Sequence, residues 1–210
     1  MEECKPYAQA YIDSRSHLSP YTLKLDVSAI RKVYDREIDV RSDKMRNRGE
    51  IRRSRVHSER SLRAEQKNPV LKEFCQATGL RRHELTALRG CDIRISGDKV
   101  FVQVQQGKGG KFRSVEVTEK GMNLVKQFAS DSKEKLFEKV DQNLNVHMYR
   151  GDYAKEMYRQ LEEQKDNTSK TDWYYCRGDM KGQKFDRNIM LEVSRNLGHN
   201  RVSVIAEHYL

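Results

Sequence analysis

Residues 99–117, KVFVQVQQGKGGKFRSVEV, constrain the fold more than any other stretch of this chain. Val100, Val102 and Val104 alternate along one face, GKGG supplies a turn, and Val115 and Val117 return on a second strand. That is the pattern of an antiparallel hairpin with one buried side. The segments around it repeat differently. NPVLKEFCQATGL has helical spacing from Pro69 and a stop at Gly79; RRHELTALRGCDI is a shorter helix with Leu85 and Leu88 inward. EKGMNLVKQFAS and GDYAKEMYRQLEEQ also have helical spacing, and NIMLEVSRNLG does so up to Gly198. A second hairpin is expected in TDWYYCRGDMKGQKFDR, turning near Lys181 and Gly182. The fold class that follows is mainly α with a small antiparallel β-sheet.

Upstream, Ser19 and Pro20 form a helix start, and Leu23, Val27, Ile30 and Tyr34 recur at helical spacing behind them. A shorter helix is expected around Tyr7 to Ser14. Two such helices make a small unit, assigned to residues 1–42. Residues 43–66 are expected to be a basic linker, with Arg or Lys at 44, 46, 48, 52, 53, 55, 60 and 63 and a glycine at 49. Residues 67–210 make the main domain, with 165–187 read as an inserted hairpin.

Charge narrows the partner. The 210 residues carry a net charge of +10 with 34% charged side chains, an excess that suits a polyanion and nucleic acid first. No apolar run is long enough to span a bilayer, and the first residues, MEECKPYAQAYIDS, are acidic where a secretory leader would be basic. Cys4, Cys75, Cys91 and Cys176 show no metal-binding spacing and are expected to be free cytoplasmic thiols. In RRHEL, Ala87 stands where a zinc helix would need its second histidine. GKGGK lacks the spacing of a nucleotide loop, so neither a metal nor a nucleotide is expected. His17, His57 and His208 are expected to be silent, and Trp173, Tyr174 and Tyr175 to serve hairpin packing.

Four blocks share one chemistry. ATGLRRHEL delivers Arg81 and Glu84; GKGGKFRSVEV delivers Lys108; HMYRGDYA delivers His147 and Arg150; LGHNRVSVIAEHYL delivers His199 and Tyr209. Negative charge that develops on a phosphodiester under attack can be held by two guanidinium forks and imidazole donors. A tyrosine nucleophile would store the bond in a phosphotyrosine and return it on ligation, without ATP or metal.

In this order the blocks resemble the tyrosine recombinase (phage integrase) family over residues 68–210, and the helix at 19–37 resembles part of that family's core-binding domain. The resemblance implies that Arg81 and Arg150 clamp the phosphate and that His147 and His199 assist. It further implies that Lys108 protonates the leaving 5′ oxygen, Tyr209 attacks, and Glu84 braces the site. Its implied partner is double-stranded DNA bound by a tetramer, with no cofactor. Arg52, Arg53, Arg55, Lys111, Arg113 and Arg201 are the expected DNA contacts, and the source would be a mobile element in a prokaryotic host.

Three features depart from the pattern. Arg177 in YYCRG lies 22 residues before His199, close to the family's common interval, whereas Arg150 lies 49 before it. Tyr174 then stands where a histidine belongs, and HMYRGDYA has both the histidine and the following alanine, which favours Arg150. His199 and Tyr209 are ten apart, one more than the family's usual spacing, so the connection is expected to be looped out. Only Leu210 follows Tyr209, where many relatives continue into a tail that docks on a neighbouring subunit. A non-catalytic DNA-binding relative or fragment of the same fold is the alternative reading, and a type IB topoisomerase a third.

Overall fold

The structure is a computed structural model that describes residues 2–35, 37–44, 58–165, 172–177 and 180–210. The chain divides into two compact units, Met1–Arg53 and Ser54–Leu210.

In the first unit a 3-10 turn, Glu2–Tyr7, leads into α1 (Ala8–Ser14), followed by α2 (Pro20–Val33). Ser19 caps α2 as expected: its hydroxyl accepts the Thr22 N–H, and Pro20 fills the first helical position, where no donor is needed. Ala8, Ile12, Leu23, Val27 and Val40 form the small core of this unit.

The second unit begins with α3 (Glu59–Lys67), which lies within the stretch expected to be linker except for its last residue. Its start is a reciprocal cap: Ser61 N–H donates to the Ser58 hydroxyl and Ser58 N–H to the Ser61 hydroxyl. Two serines hide this signal, because the usual partner at the third position is Glu or Gln. α4 (Pro69–Thr78) and α5 (Arg82–Ala87) follow. The three-stranded antiparallel sheet has the order β1 (Ile93–Ser96), β2 (Lys99–Val104), β3 (Arg113–Glu116). Its register sets Val102 between Ile93 and Val115, all three buried. β1 was not anticipated, although Ile93 and Ile95 alternate ahead of the Gly97–Asp98 turn.

Next comes a 3-10 turn, Glu119–Gly121, and then α6 (Met122–Lys126), shorter than the helix expected there. The longest helix is α7 (Val146–Glu163). It buries Val146, Tyr149, Arg150, Tyr153, Ala154, Met157 and Tyr158, a stripe that recurs every three to four residues. β4 (Trp173–Tyr175) and β5 (Lys184–Asp186) pair as the expected second hairpin. Trp173 stacks under the Lys184 ammonium, 4.2 Å from the ring centre. α8 (Arg187–Asn196) and α9 (Val202–His208) end the chain. The segment expected to be looped out is therefore mostly helix, with Tyr209 at its C-cap.

The core of this unit is built where α4, α7 and α8 meet the sheet, around Phe74, Leu80, Leu85, Tyr153, Met190 and Leu197. Two polar ties fix the layers. Tyr153 donates its hydroxyl to the Glu116 carbonyl at 2.7 Å, and Thr118 N–H donates to the Ala77 carbonyl at 3.0 Å. Gly79 ends α4 at φ 58°, and a Cβ there would meet the Tyr153 ring at 2.6 Å and Leu197 at 3.0 Å. Gly79→Ala is expected to cost about 2–4 kcal/mol, from the left-handed backbone and the overpacking together. A urea midpoint unchanged from wild type would contradict this packing.

Candidate active site

Glu84 organises the site from below. Its carboxylate is buried and accepts four hydrogen bonds: from the Arg81 backbone N–H (2.7 Å), Arg81 Nη1 (2.9 Å), Arg113 Nη1 (2.8 Å) and Arg113 Nη2 (2.7 Å). Burial alone would raise this carboxyl. The Arg113 side chain, the Arg81 N–H and the Arg113 charge outweigh it and hold the group at about 2. Arg113 is among the expected DNA contacts, yet three of its N–H groups point at protein acceptors. Its guanidinium faces inward, bonding both Glu84 oxygens and the Asn196 carbonyl.

Arg81 and Arg150 meet above this base at one backbone oxygen. Arg81 Nη2 and Arg150 Nη2 both donate to the Leu197 carbonyl, each at 3.0 Å, and Arg150 Nη1 donates to the Gly79 carbonyl. The Leu197 carbonyl is free to do so because α8 stops there. Gly198 turns the chain away at φ 71°, and a Cβ on it would press on Arg81 and Arg113 at 3.2–3.3 Å. The leucine and glycine of the LGH block thus each have a physical role. Leu197 is a buried anchor, and Gly198 makes the turn that aims a carbonyl at two guanidinium groups. Arg150 is itself buried; desolvation lowers its pKa, while the neighbouring Tyr209 oxygen acts the other way.

A cleft of about 570 Å³ opens over these groups, lined by Arg81, Lys108, His147, Arg150, His199 and Tyr209 among others. Tyr209 is buried, and its hydroxyl lies 3.3 Å from His199 Nε2. Its ring stacks on His147 at 5.9 Å between centres and 19° between planes, with the Arg150 guanidinium 5.9 Å from its centre. The extra residue between His199 and Tyr209 therefore leaves the two side chains in contact. His199 is held neutral: burial first, then the charges of Arg150, Arg81, Arg113 and Lys108, lower it to about 4.

The structure gathers all six residues assigned to catalysis and sets Glu84 beneath them. Lys108 stands exposed on the β2–β3 loop at the cleft edge. Arg177, the rival to Arg150, is exposed in the second hairpin and is not among the cleft residues. Lys111 and Arg201 are exposed outside the cleft, and Arg52, Arg53 and Arg55 lie outside the described residues. Ser58, Ser61, Arg82 and residues 142–146 also line the cleft, and sequence reasoning missed them. The doubled arginine at 81–82 was the available signal for Arg82. Among the described residues, no helix is long and apolar enough to cross a membrane, and no three His, Cys, Asp or Glu side chains cluster to hold a metal.

The model of the phage integrase family matches residues 56–209, most of the chain. The protein belongs to that family, the tyrosine recombinases. No curated protein matches it. Among the solved structures it resembles is XerH site-specific recombinase in a post-cleavage complex with palindromic difH substrate. That likeness has a TM-score of 0.48 and 15% identity, over 96% of this chain and 66% of that one. The pre-cleavage XerH complex with difH substrate gives 0.48 and 14%, over 97% and 66%. XerA recombinase gives 0.41 and 16%, over 99% and 76%. This family member thus spans 66% of the length of the XerH chains it is similar to.

Glu84 and His199 give the fold an acid sensitivity whose sign is fixed. His199 titrates near 6.5 unfolded and about 4 folded, so the unfolded chain binds more protons between those values and stability falls as pH drops through that window. Glu84, lowered from 4.5 to about 2, adds stability above pH 4.5 that is lost as pH falls toward 2, on the order of 3 kcal/mol. Denaturation curves from pH 7 to 3 are expected to show both losses, and Glu84→Gln to remove the lower one. A Glu84→Gln profile parallel to wild type below pH 4.5 would contradict this account.

Proposed function

We propose that the protein is a site-specific DNA recombinase that cuts and rejoins strands through a 3′-phosphotyrosine, encoded by a mobile element. The observation that supports this reading best is the Tyr209 hydroxyl 3.3 Å from a neutral His199, in a cleft that also presents Arg81, Arg150 and Lys108. In the proposed step the Tyr209 oxygen attacks the scissile phosphorus and the bond from phosphorus to the 5′ oxygen breaks. The phenol proton passes to His199 Nε2, and the Lys108 ammonium gives a proton to the departing 5′ oxygen. Arg81 and Arg150 hold the non-bridging oxygens as their charge grows, and His147 supports the tyrosine ring. Ligation reverses the step with the 5′ hydroxyl of another strand. One phosphodiester is exchanged for another, so no external energy source is needed.

Binding the phosphate would also tune the acceptor. An anion between Arg81 and Arg150 offsets the charges that depress His199, so its pKa rises as DNA binds and it becomes a better base when the nucleophile needs one. The helices of the first unit, as a partial core-binding domain, and the basic stretch that follows α2, with Arg52, Arg53 and Arg55, would add contacts to the duplex backbone. Lys111 and Arg201 would do the same beside the cleft. Four such chains would be needed to exchange four strands.

The test uses nicked DNA with a 5′-bridging phosphorothiolate at a candidate site, which traps the covalent step. Wild type is expected to give an SDS-stable adduct and Tyr209→Phe none, with DNA affinity within about threefold. Arg150→Lys is expected to slow adduct formation by about 10²–10³. Adduct formation by Tyr209→Phe at the wild-type level would overturn the assignment.

A further inference from the structure

Arg81 and Arg82 are consecutive, yet their guanidinium groups do different things. Arg81 turns to Glu84 and the Leu197 carbonyl. Arg82, at the first position of α5, turns to the loop that precedes α7. Its Nη1 donates to the carbonyls of Val140 (3.3 Å) and Asp141, and its Nη2 to those of Gln142 (3.2 Å) and Leu144 (2.6 Å). Each Nη carries two hydrogens, so both ends of the fork are committed to backbone oxygens. A bidentate grip on phosphate by this fork would require residues 140–144 to unwind first.

We propose that Arg82 is a positioning residue: the peg around which residues 140–145 are wound, which sets where α7 begins and so where His147 and Arg150 stand over the phosphate. The loop is held at both sides of the peg. Val140 and Leu144 are buried, Leu144 N–H donates back to the Asp141 carbonyl at 3.0 Å, and Asn145 then caps α7 by accepting the Met148 N–H. His147 is two residues past that cap and Arg150 one turn further on. A shift of the loop therefore displaces the imidazole that stacks on Tyr209 and the guanidinium that anchors on Leu197. Lysine cannot replace this function. A compact ammonium has three donors and no planar fork to span four carbonyls.

The catalytic consequence rests on the recombinase reading; the structural one does not, and the two are tested apart. In 15N spectra of the wild-type protein, the Nη protons of Arg82 are expected to be resolved and slowly exchanging. A single averaged, fast-exchanging signal would overturn the proposal without any variant. In Arg82→Lys, the amides of Leu144, Val146 and Met148 are expected to exchange at least tenfold faster, with those of α4 unchanged. DNA affinity and its salt dependence are expected to stay at the wild-type values. Single-turnover cleavage is expected to fall on the order of 10–100-fold, the penalty of misplaced groups. Because part of the loss acts through His147, Arg82→Lys combined with His147→Ala is expected to cost less than the product of the two single rate losses. Unchanged protection at residues 144–148, or a wild-type cleavage rate in Arg82→Lys, would overturn the proposal. So would a salt slope reduced by about one, the mark of a lost phosphate contact. If wild type forms no adduct on any DNA, the recombinase reading falls, and the exchange data alone still decide whether Arg82 is the peg.

Discussion

A buried carboxylate between two guanidinium groups is the constraint on which the rest of this structure depends. Glu84 gives each of its oxygens to Arg81 and Arg113 and meets no solvent of consequence. Removing one partner from such a cluster leaves an uncompensated charge, at about 3–5 kcal/mol. The cluster also solves a problem of assembly. Arg81, Arg113 and Arg150 stand close together in a half-closed space, and like charges so placed repel. One internal carboxylate offsets part of that repulsion and leaves a net positive surface facing the cleft. The site is thereby charged for an anion before any anion arrives.

The fold turns that charge into geometry through backbone ends rather than through side chains. α4 ends at Gly79 and α8 at Leu197, and each end offers Arg150 a carbonyl, with Arg81 sharing the second. The C-terminal end of a helix carries partial negative charge, which suits a guanidinium there. Loop residues 140–144 offer Arg82 a fan of carbonyls in the same way. The arginines around the cleft therefore differ in where their donors go: Arg82 turns four N–H groups and Arg113 three to acceptors inside the protein, whereas each Nη of Arg81 and Arg150 bonds one protein oxygen. Net charge alone does not separate them.

That distinction marks what the sequence could and could not reveal. Helical spacing, valine alternation and the stops at Gly79 and Gly198 carry physical signals along a few residues, and α4, β2, β3 and α8 follow them. Six of the cleft residues, Arg81, Lys108, His147, Arg150, His199 and Tyr209, were legible because four blocks recur in a known order. The inward fate of Arg113 was not legible, since its partners, Glu84 and Asn196, lie 29 and 83 residues away. The same holds for Arg82, whose acceptors are backbone carbonyls that no residue type announces. β1 was missed because the exposed residues Arg94, Ile95 and Ser96 hide a single buried position, Ile93. The basic run before α3 drew attention to charge and away from a cap made of two serines.

Tyr209 is seated against its own His199, His147 and Arg150, so in the proposed reaction one chain supplies both the phosphate clamp and the nucleophile. Mixing two inactive variants tests this most directly. Tyr209→Phe and Arg150→Ala chains, combined on the same phosphorothiolate DNA, each lack one part of the site. If each chain cuts with its own tyrosine, the mixture forms no more adduct than Arg150→Ala chains alone. Recovery of adduct toward half the wild-type level would mean that the tyrosine acts in a neighbour's cleft, and would contradict this reading.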